Sequence, residues 1–304
     1  MTRLSVVIPV WNQADLLRNC LRSLKQALAV VPDAEVILID DGSSEDIASV
    51  VREEFNAATL LHNEENHGFA HAANRGMGEA RGEYLLLLNS DTEIATSDLA
   101  RLLEFLDSHG DYAGVVPSLV GTDGQVQPSC MAFPRWLTPF FFGTPIERWL
   151  PNSKELRRYF LRSFDHLSER DVEQPPAACW LVRREIWEAV GCFDERLELF
   201  FNDVDWCTRL AQIEGRLRYL AVARVLHHGG ASTGARGDFV TRWQTDRLRY
   251  QRKHFGRMGG LLMKACVTWS FMDWSARNLI KRALRKRAES VAPMGRAFLT
   301  FLRA

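Results

Sequence analysis

Two strand-like runs in this chain end in carboxylates, and that placement is where the chemistry starts. Residues 84–91 read YLLLLNSD, an apolar run that breaks into Asn89-Ser90-Asp91. Such a run is the pattern of a strand buried on both faces of a parallel sheet. A carboxylate at its C-terminal tip lies in the crevice where open α/β sheets bind ligands. Residues 36–39 form a second apolar run, ending in Asp40-Asp41-Gly42-Ser43. Two acid-tipped neighbouring strands predict a site for a hard cation and a diphosphate held through it. Capping of the next helices is the competing role for Asp41 and Asp91. The motifs downstream favour the ligand site.

Such tips need a scaffold, and the hydropathy pattern supplies one. Residues 4–10 (LSVVIPV) read as a strand. Leu16, Leu17, Cys20, Leu21, Leu24 and Leu28 then recur at helical spacing. A strand over 36–39, a helix over 44–55, a weak strand over 59–61, a helix over 69–80 and a strand over 84–88 come next. This β-α-β-α-β-α-β order predicts an α/β fold with a Rossmann-like, mostly parallel sheet and right-handed crossovers. Beyond Asp91 a helix is expected over 98–106, strands over 114–120 and 177–182, and a helix over 184–190 ending at Gly191. Residues 127–173, rich in aromatic and basic residues and carrying Pro128, Pro134, Pro139, Pro145 and Pro151, read as an insertion on the acceptor side. The expected organisation is a catalytic domain over 1–240 and a basic, amphipathic helical extension over 241–304.

Composition narrows the class. The chain has 304 residues, 46% of them apolar and 25% charged, which is ordinary globular chemistry. Its formal net charge is zero, yet residues 242–304 hold fifteen Lys/Arg against three Asp/Glu. The six cysteines form no C-x-x-C pair and read as reduced thiols of a cytoplasmic protein. No secretory signal is expected, because Met1-Thr2-Arg3 leads straight into a strand. The longest apolar candidate, 261–274, is interrupted by Lys264 and Asp273 and falls short of the roughly 18 residues that span a bilayer. A soluble or peripheral protein is expected.

Further clusters join the strand tips in order. They are Pro9-Val10-Trp11, Asn66-His67-Gly68-Phe69-Ala70 with Asn74 and Gly76, Phe193-Asp194-Glu195, FFNDVDWCTR over 200–209, and His227-His228-Gly229-Gly230-Ala231-Ser232. In this order and spacing the chain resembles a family-two glycosyltransferase of the GT-A fold over residues 4–235. The resemblance implies transfer of a sugar from a nucleotide-diphosphate donor to an acceptor hydroxyl. It assigns donor contacts to Pro9, Trp11, Asp40, Asp41, Asn66, Gly68, Asn89 and Ser90. Asn89-Ser90-Asp91 stands where the family carries its D-x-D metal motif, which leaves Asp91 as the carboxylate ligand for Mn²⁺ or Mg²⁺. His227, matching H-x-x-G-x-S, completes the metal shell or contacts the diphosphate, and His228 is its alternate. Asn202-Asp203 stands where Glu-Asp is usual, so Asp203 inherits the general base, with Asp205 as second candidate. Losing the charge at 202 is expected to hold the Asp203 pKa below that of a Glu-Asp site. The mechanism implied is a single inverting displacement. The long insertion and NDVDW are most like the bacterial rhamnosyltransferase branch, with dTDP-rhamnose or a UDP-sugar as donor and surface polysaccharide as product.

Trp269, Phe271, Met272 and Trp274 lie among Lys264, Arg277, Lys281, Arg282, Arg285, Lys286 and Arg287. Aromatic and basic residues so mixed suit an anionic membrane surface, with a helix packed on the catalytic domain as the competing reading. Membrane docking would place the protein at the inner face of the cell membrane, with a saccharide on a polyprenyl carrier as acceptor. No nucleic-acid module is present. Phe140-Phe141-Phe142 is expected to floor an acceptor groove or to serve as core. A catalytically degenerate nucleotide-sugar-binding scaffold is the alternative function, kept open by Asn89 and Asn202. A dinucleotide oxidoreductase is disfavoured, since no G-x-G-x-x-G follows the first strand.

Overall fold

The computed structural model describes residues 2–229, 236–284 and 291–304. The N-terminal part follows the expected order: β1 (Leu4–Val10), α1 (Ala14–Ala27), β2 (Ala34–Asp41), α2 (Ile47–Glu54), β3 (Thr59–Asn63), α3 (Phe69–Glu79) and β4 (Tyr84–Leu88). Then come β5 (Thr92–Ile94), α4 (Thr96–Ser108) and β6 (Gly114–Val120). Three short helices are next, α5 (Thr138–Phe141), α6 (Pro145–Trp149) and α7 (Lys154–Tyr159). The chain continues through β7 (Arg170–Val172), β8 (Cys179–Arg183), α8 (Arg184–Val190), α9 (Asn202–Gln212) and β9 (Leu217–His227). It closes with α10 (Arg236–Ala283) and α11 (Val291–Arg303).

Two compact units result. The first comprises Met1–Met131, Phe164–Glu198 and Asn202–Ser232, and the second Ala132–Ser163, Leu199–Phe201 and Thr233–Ala304. The division thus runs through the expected 127–173 insertion instead of falling only at 240. The nine strands of the described residues lie in the first unit, in the order β3-β2-β1-β4-β8-β6-β9-β5, with β7 also on β9. β3, β2, β1 and β4 are parallel, as the apolar runs predict. The other half is mixed. β8 runs antiparallel to β4 and β6, β9 is parallel to β6, and β5 and β7 are antiparallel to β9.

One core cluster joins α1, through Leu17, Cys20, Leu21 and Leu24, to the buried strands of the sheet. Leu85 to Leu88 of β4 are at most 1% exposed, and each such leucine stabilises the fold by about 1.5–3 kcal/mol. β4 is therefore a rigid mount for the Asn89-Ser90-Asp91 turn at its end.

The second unit is helical. α10 breaks at Gly256, whose φ of 65° and ψ of −164° are not helical. Phe142 packs against Tyr159, Phe160 and Trp243, and Phe140 against Trp269, and all three residues of the aromatic run 140–142 are half-buried. Among the described residues, no helix is long and apolar enough to cross a membrane. Arg285, Lys286 and Arg287 lie outside the described residues.

Candidate active site

The C-terminal ends of β2, β1 and β4 fall on one edge of the sheet, because parallel neighbours share a direction. β1 pairs with β2 as far as Val10 opposite Asp40, but its ladder with β4 stops at Val7. The strands part there and leave the crevice expected of an open α/β sheet. Pro9 is buried beyond the last β1–β4 pair, where a missing N–H breaks no ladder bond on that side. Of the predicted wall, only Trp11 offers a face, 41% exposed at the strand tip.

Asp40 and Asp41 are turned toward protein. Asp40 accepts from Ser43 N at 3.0 Å and meets His62 Nδ1 at 3.0 Å. The Asp41 carboxylate accepts from Asn63 Nδ2 at 2.7 Å, His67 N at 3.1 Å and Gly68 N at 2.8 Å. Asp41 therefore shapes the 63–68 loop, and its oxygens are already engaged. Asn66 is exposed, its amide donating to Asp41 O over 3.4 Å. Gly42 (φ +68°) needs to be glycine: a Cβ would lie 2.5 Å from the Glu65 carbonyl carbon. Gly68 (φ +93°) is held likewise, with Glu198 O 2.9 Å from any Cβ.

A different arrangement surrounds Asp91. The β5–β9 pairing sets His227 opposite Thr92, and His228 N donates to Asp91 O at 3.0 Å. His227 Nε2 consequently stands 3.7 Å from Asp91 Oδ1. Its other nitrogen, Nδ1, pairs with Gln127 Oε1 at 2.9 Å, while Gln127 Nε2 donates to His227 O at 2.9 Å. Gln127 can satisfy both contacts only if His227 Nδ1 carries the proton, which leaves Nε2 as a lone pair facing Asp91. Burial holds the His227 pKa below its ordinary value, and His228 adds to this, while Asp91 opposes it. His228 turns to Glu93, at 3.0 Å, so the two histidines do not exchange roles.

Asn89 Oδ1 is buried with no hydrogen-bond partner, although an unmade bond at a buried oxygen costs stability. Ser90, half-buried, links the two residues. Asp91 carboxylate, Asn89 amide oxygen and His227 Nε2 suit a hard divalent cation that takes its remaining ligands from phosphates. Among the described residues, no cluster of three or more His, Cys, Asp and Glu forms an all-protein cage. Below Asn89, the Cys20 thiol lies 3.7 Å from its carbonyl, and burial pushes its pKa up to about 12, keeping it neutral.

The N-terminus of β8 joins this cluster to α9. Asn89 N donates to Ala178 O at 2.9 Å, and Asp203 accepts from the Ala177 backbone. Asp203 is half-buried in the first turn of α9 and accepts from Val204 N at 2.8 Å. Burial pushes its pKa up, against the pull of the backbone hydrogen bonds. Asn202 is itself only 2% exposed, and its Oδ1 accepts from Asp203 N at 2.7 Å. Asp205, the second candidate for the base, is placed differently. It is fully buried and ion-paired with Arg209 at 3.0 Å, and Arg209 also donates to Val190 O and Cys192 O.

Asn74 exchanges hydrogen bonds with the Phe193 backbone and donates to Glu195 at 2.9 Å, so Phe193-Asp194-Glu195 is a staple onto α3. Gly230 and Ser232 of the histidine motif lie outside the described residues. Gln127 and Ala177 escaped the sequence reading. Both act from loops through contacts with residues remote in the chain, and only a histidine's need for a second partner hinted at Gln127.

An acid-tipped crevice in a mixed sheet, with a carboxylate–histidine pair at its strand ends, is the arrangement expected of the GT-A fold. The chain belongs to glycosyl transferase family 2, whose family model matches residues 5–189. It is similar to the N-acetylglucosaminyl-diphospho-decaprenol L-rhamnosyltransferase of Mycobacterium tuberculosis, 28% identical over 242 residues, which cover 76% of this chain and 78% of that protein. It is also similar to the O-antigen biosynthesis protein RfbC of Myxococcus xanthus, 29% identical over 77% of this chain but only 18% of that protein. Solved structures with this fold include S. aureus TarS, with TM-score 0.54 and 17% identity over 99% of this chain and 80% of that one. Another is the mannosyltransferase PcManGT of Pyrobaculum calidifontis in complex with GDP-Man and Mn²⁺, with TM-score 0.58 and 16% identity over 99% and 86%.

Proposed function

We propose that this chain is an inverting, divalent-metal-dependent hexosyltransferase that moves a sugar, rhamnose from dTDP-rhamnose first among the donors, onto a polyprenyl-diphosphate-linked saccharide. The reading rests on one observation above all. A buried, unpartnered Asn89 Oδ1 stands in the Asn89-Ser90-Asp91 turn, where Asp91 faces an oriented His227 Nε2. The relatives' names favour rhamnose and a lipid carrier, and the mannosyltransferase complex favours Mn²⁺.

Asp91, His227 and Asn89 Oδ1 would hold Mn²⁺ or Mg²⁺, which when bound neutralises charge on the departing diphosphate. Trp11 offers its exposed face to the base, and Asp40 and Asp41 hold the loop that frames the nucleoside. Asp203 takes the proton of the acceptor hydroxyl as that oxygen attacks the anomeric carbon. The bond from this carbon to the diphosphate breaks on the opposite face, its electron pair leaving with the diphosphate oxygen. The anomeric centre is therefore inverted. Asn202 does not mark degeneration in this reading, because it hydrogen-bonds the Asp203 amide and steadies the base. With a lipid-linked acceptor, the enzyme works peripherally at the cytoplasmic face of the membrane.

Thermal unfolding with UDP, GDP, dTDP and CMP, each with and without Mn²⁺, tests the proposal. One diphosphate at about 100 times its Kd should add about 2.7 kcal/mol, and only with metal. Stabilisation that persists in Asp91→Ala, or none with any nucleotide, would overturn it.

A further inference from the structure

Within the helical unit, α10 and α11 line a cavity of about 130 Å³. Its wall is made largely of Val267, Phe271, Trp274, Met294, Phe298 and Phe301. Phe271 and Phe298 stack with centroids 4.2 Å apart, and both are only half-buried, as is Trp274. The cavity therefore opens outward. Two polar atoms of its lining are engaged elsewhere. Ser270 Oγ donates to Gly143 O at 2.6 Å, and Gln244 Oε1 accepts from Arg247 at 3.3 Å. A ligand here meets hydrocarbon. A hole of this size holds roughly a six-carbon group, since apolar cavities of about 150 Å³ take benzene.

Charge says what sort of hydrocarbon. The second unit carries 22 Lys/Arg against 6 Asp/Glu by sequence, an excess of sixteen positive charges. Asp273, an acid on α10, is already paired with Arg148 and Arg277. Beyond it, Met272, Leu279, Ile280 and Leu284 are each about 60% exposed, with Lys281 and Arg282 exposed among them. A neutral hydrocarbon would not use that field, and a small anion would not use the cavity.

We infer that this cavity holds about one isoprene unit of the hydrocarbon chain of an anionic lipid, namely the polyprenyl chain of the diphosphate-linked acceptor. The inference rests on the lipid-linked acceptor proposed above, and it makes the helical unit a substrate subsite.

The test uses the full chain in EDTA, so that metal-dependent nucleotide binding is silent, and titrates it calorimetrically. The probes are farnesyl diphosphate, farnesol and inorganic diphosphate. Farnesyl diphosphate should bind more tightly than farnesol, and inorganic diphosphate should not saturate. Ala297→Phe, filling the cavity from α11, should weaken farnesyl diphosphate by about tenfold or more, as losing the burial of about two methylene groups requires. Met294→Trp fills the same space from the cavity wall and serves if the first variant does not fold by circular dichroism. Farnesyl diphosphate that fails to bind the wild type, or binds both filled variants undiminished, would overturn the subsite. The wild type's Mn²⁺-dependent nucleotide binding, measured on the same preparation, reports separately on the transferase reading.

Discussion

Asp203, half-buried in the first turn of α9, has a pKa raised by desolvation, against the pull of backbone donors that stabilise its charge. A base must be ionised to work, so the acid limb of kcat should lie above the ordinary carboxylate range, and turnover should fall as pH drops through it. The same shift has a stability consequence of definite sign. A carboxyl whose folded pKa exceeds its unfolded value binds protons more tightly when native, so ionisation at neutral pH costs stability. Asp203→Asn should therefore cut kcat by about 10²–10⁴-fold while raising Tm at pH 7. The Tm gain should vanish below about pH 4, where both forms are neutral. A pH–Tm series on the two proteins checks this, and a variant that loses turnover and Tm together would mark Asp203 as structural. Gln127 poses a parallel case. It fixes the His227 ring by two hydrogen bonds. Gln127→Leu should weaken Mn²⁺ affinity by about 10–100-fold in the nucleotide-bound enzyme, with little change in metal-free Tm.

At the scale of elements, legibility in the sequence depended on the range of the contacts. β1, β2 and β4 could be read because each is an apolar run buried by its own helices, and α8 because Gly191 stops it at φ +84°. β5 and β7 are three residues each, too short to show a period. β9 reads LRYLAVARVLH, and its partners β6, β7 and β5 lie far back in the chain. Without β9 the pairing of His227 with Asp91 could be proposed only from the family resemblance. The acids of α9 show the same limit. Asp203 and Asp205 are both polar residues of one helical turn, and only packing tells the accessible carboxylate from the one locked to Arg209. Asp205→Asn should lower Tm, because Arg209 loses its buried partner. The folded variant should keep kcat within a few-fold of wild type, in contrast to Asp203→Asn. A kcat loss as large as that of Asp203→Asn, in protein shown to be folded, would return Asp205 to the chemistry.

Across the whole molecule, a formal charge of zero conceals two opposed halves. The sheet unit holds 16 Lys/Arg against 32 Asp/Glu, and the helical unit 22 against 6. A net charge that cancels overall leaves no long-range attraction to a bilayer, but screening restricts each charge to about 8 Å at physiological ionic strength. To an anionic surface the helical unit would therefore present a local excess of sixteen positive charges, not part of a neutral body. Each basic residue near such a surface is worth about 1 kcal/mol, and the exposed leucines and Met272 of α10 add apolar contact once it is reached. Flotation with vesicles containing a third phosphatidylglycerol should carry the protein up in dilute buffer, whereas pure phosphatidylcholine vesicles should not. Raising the salt to about 1 M, where the screening length drops to about 3 Å, should release most of it. Ile280→Glu should weaken the interaction at every salt concentration, since it removes apolar contact and adds repulsion together. Equal flotation with neutral vesicles would show that the basic field plays no part, and that the apolar face alone meets the bilayer.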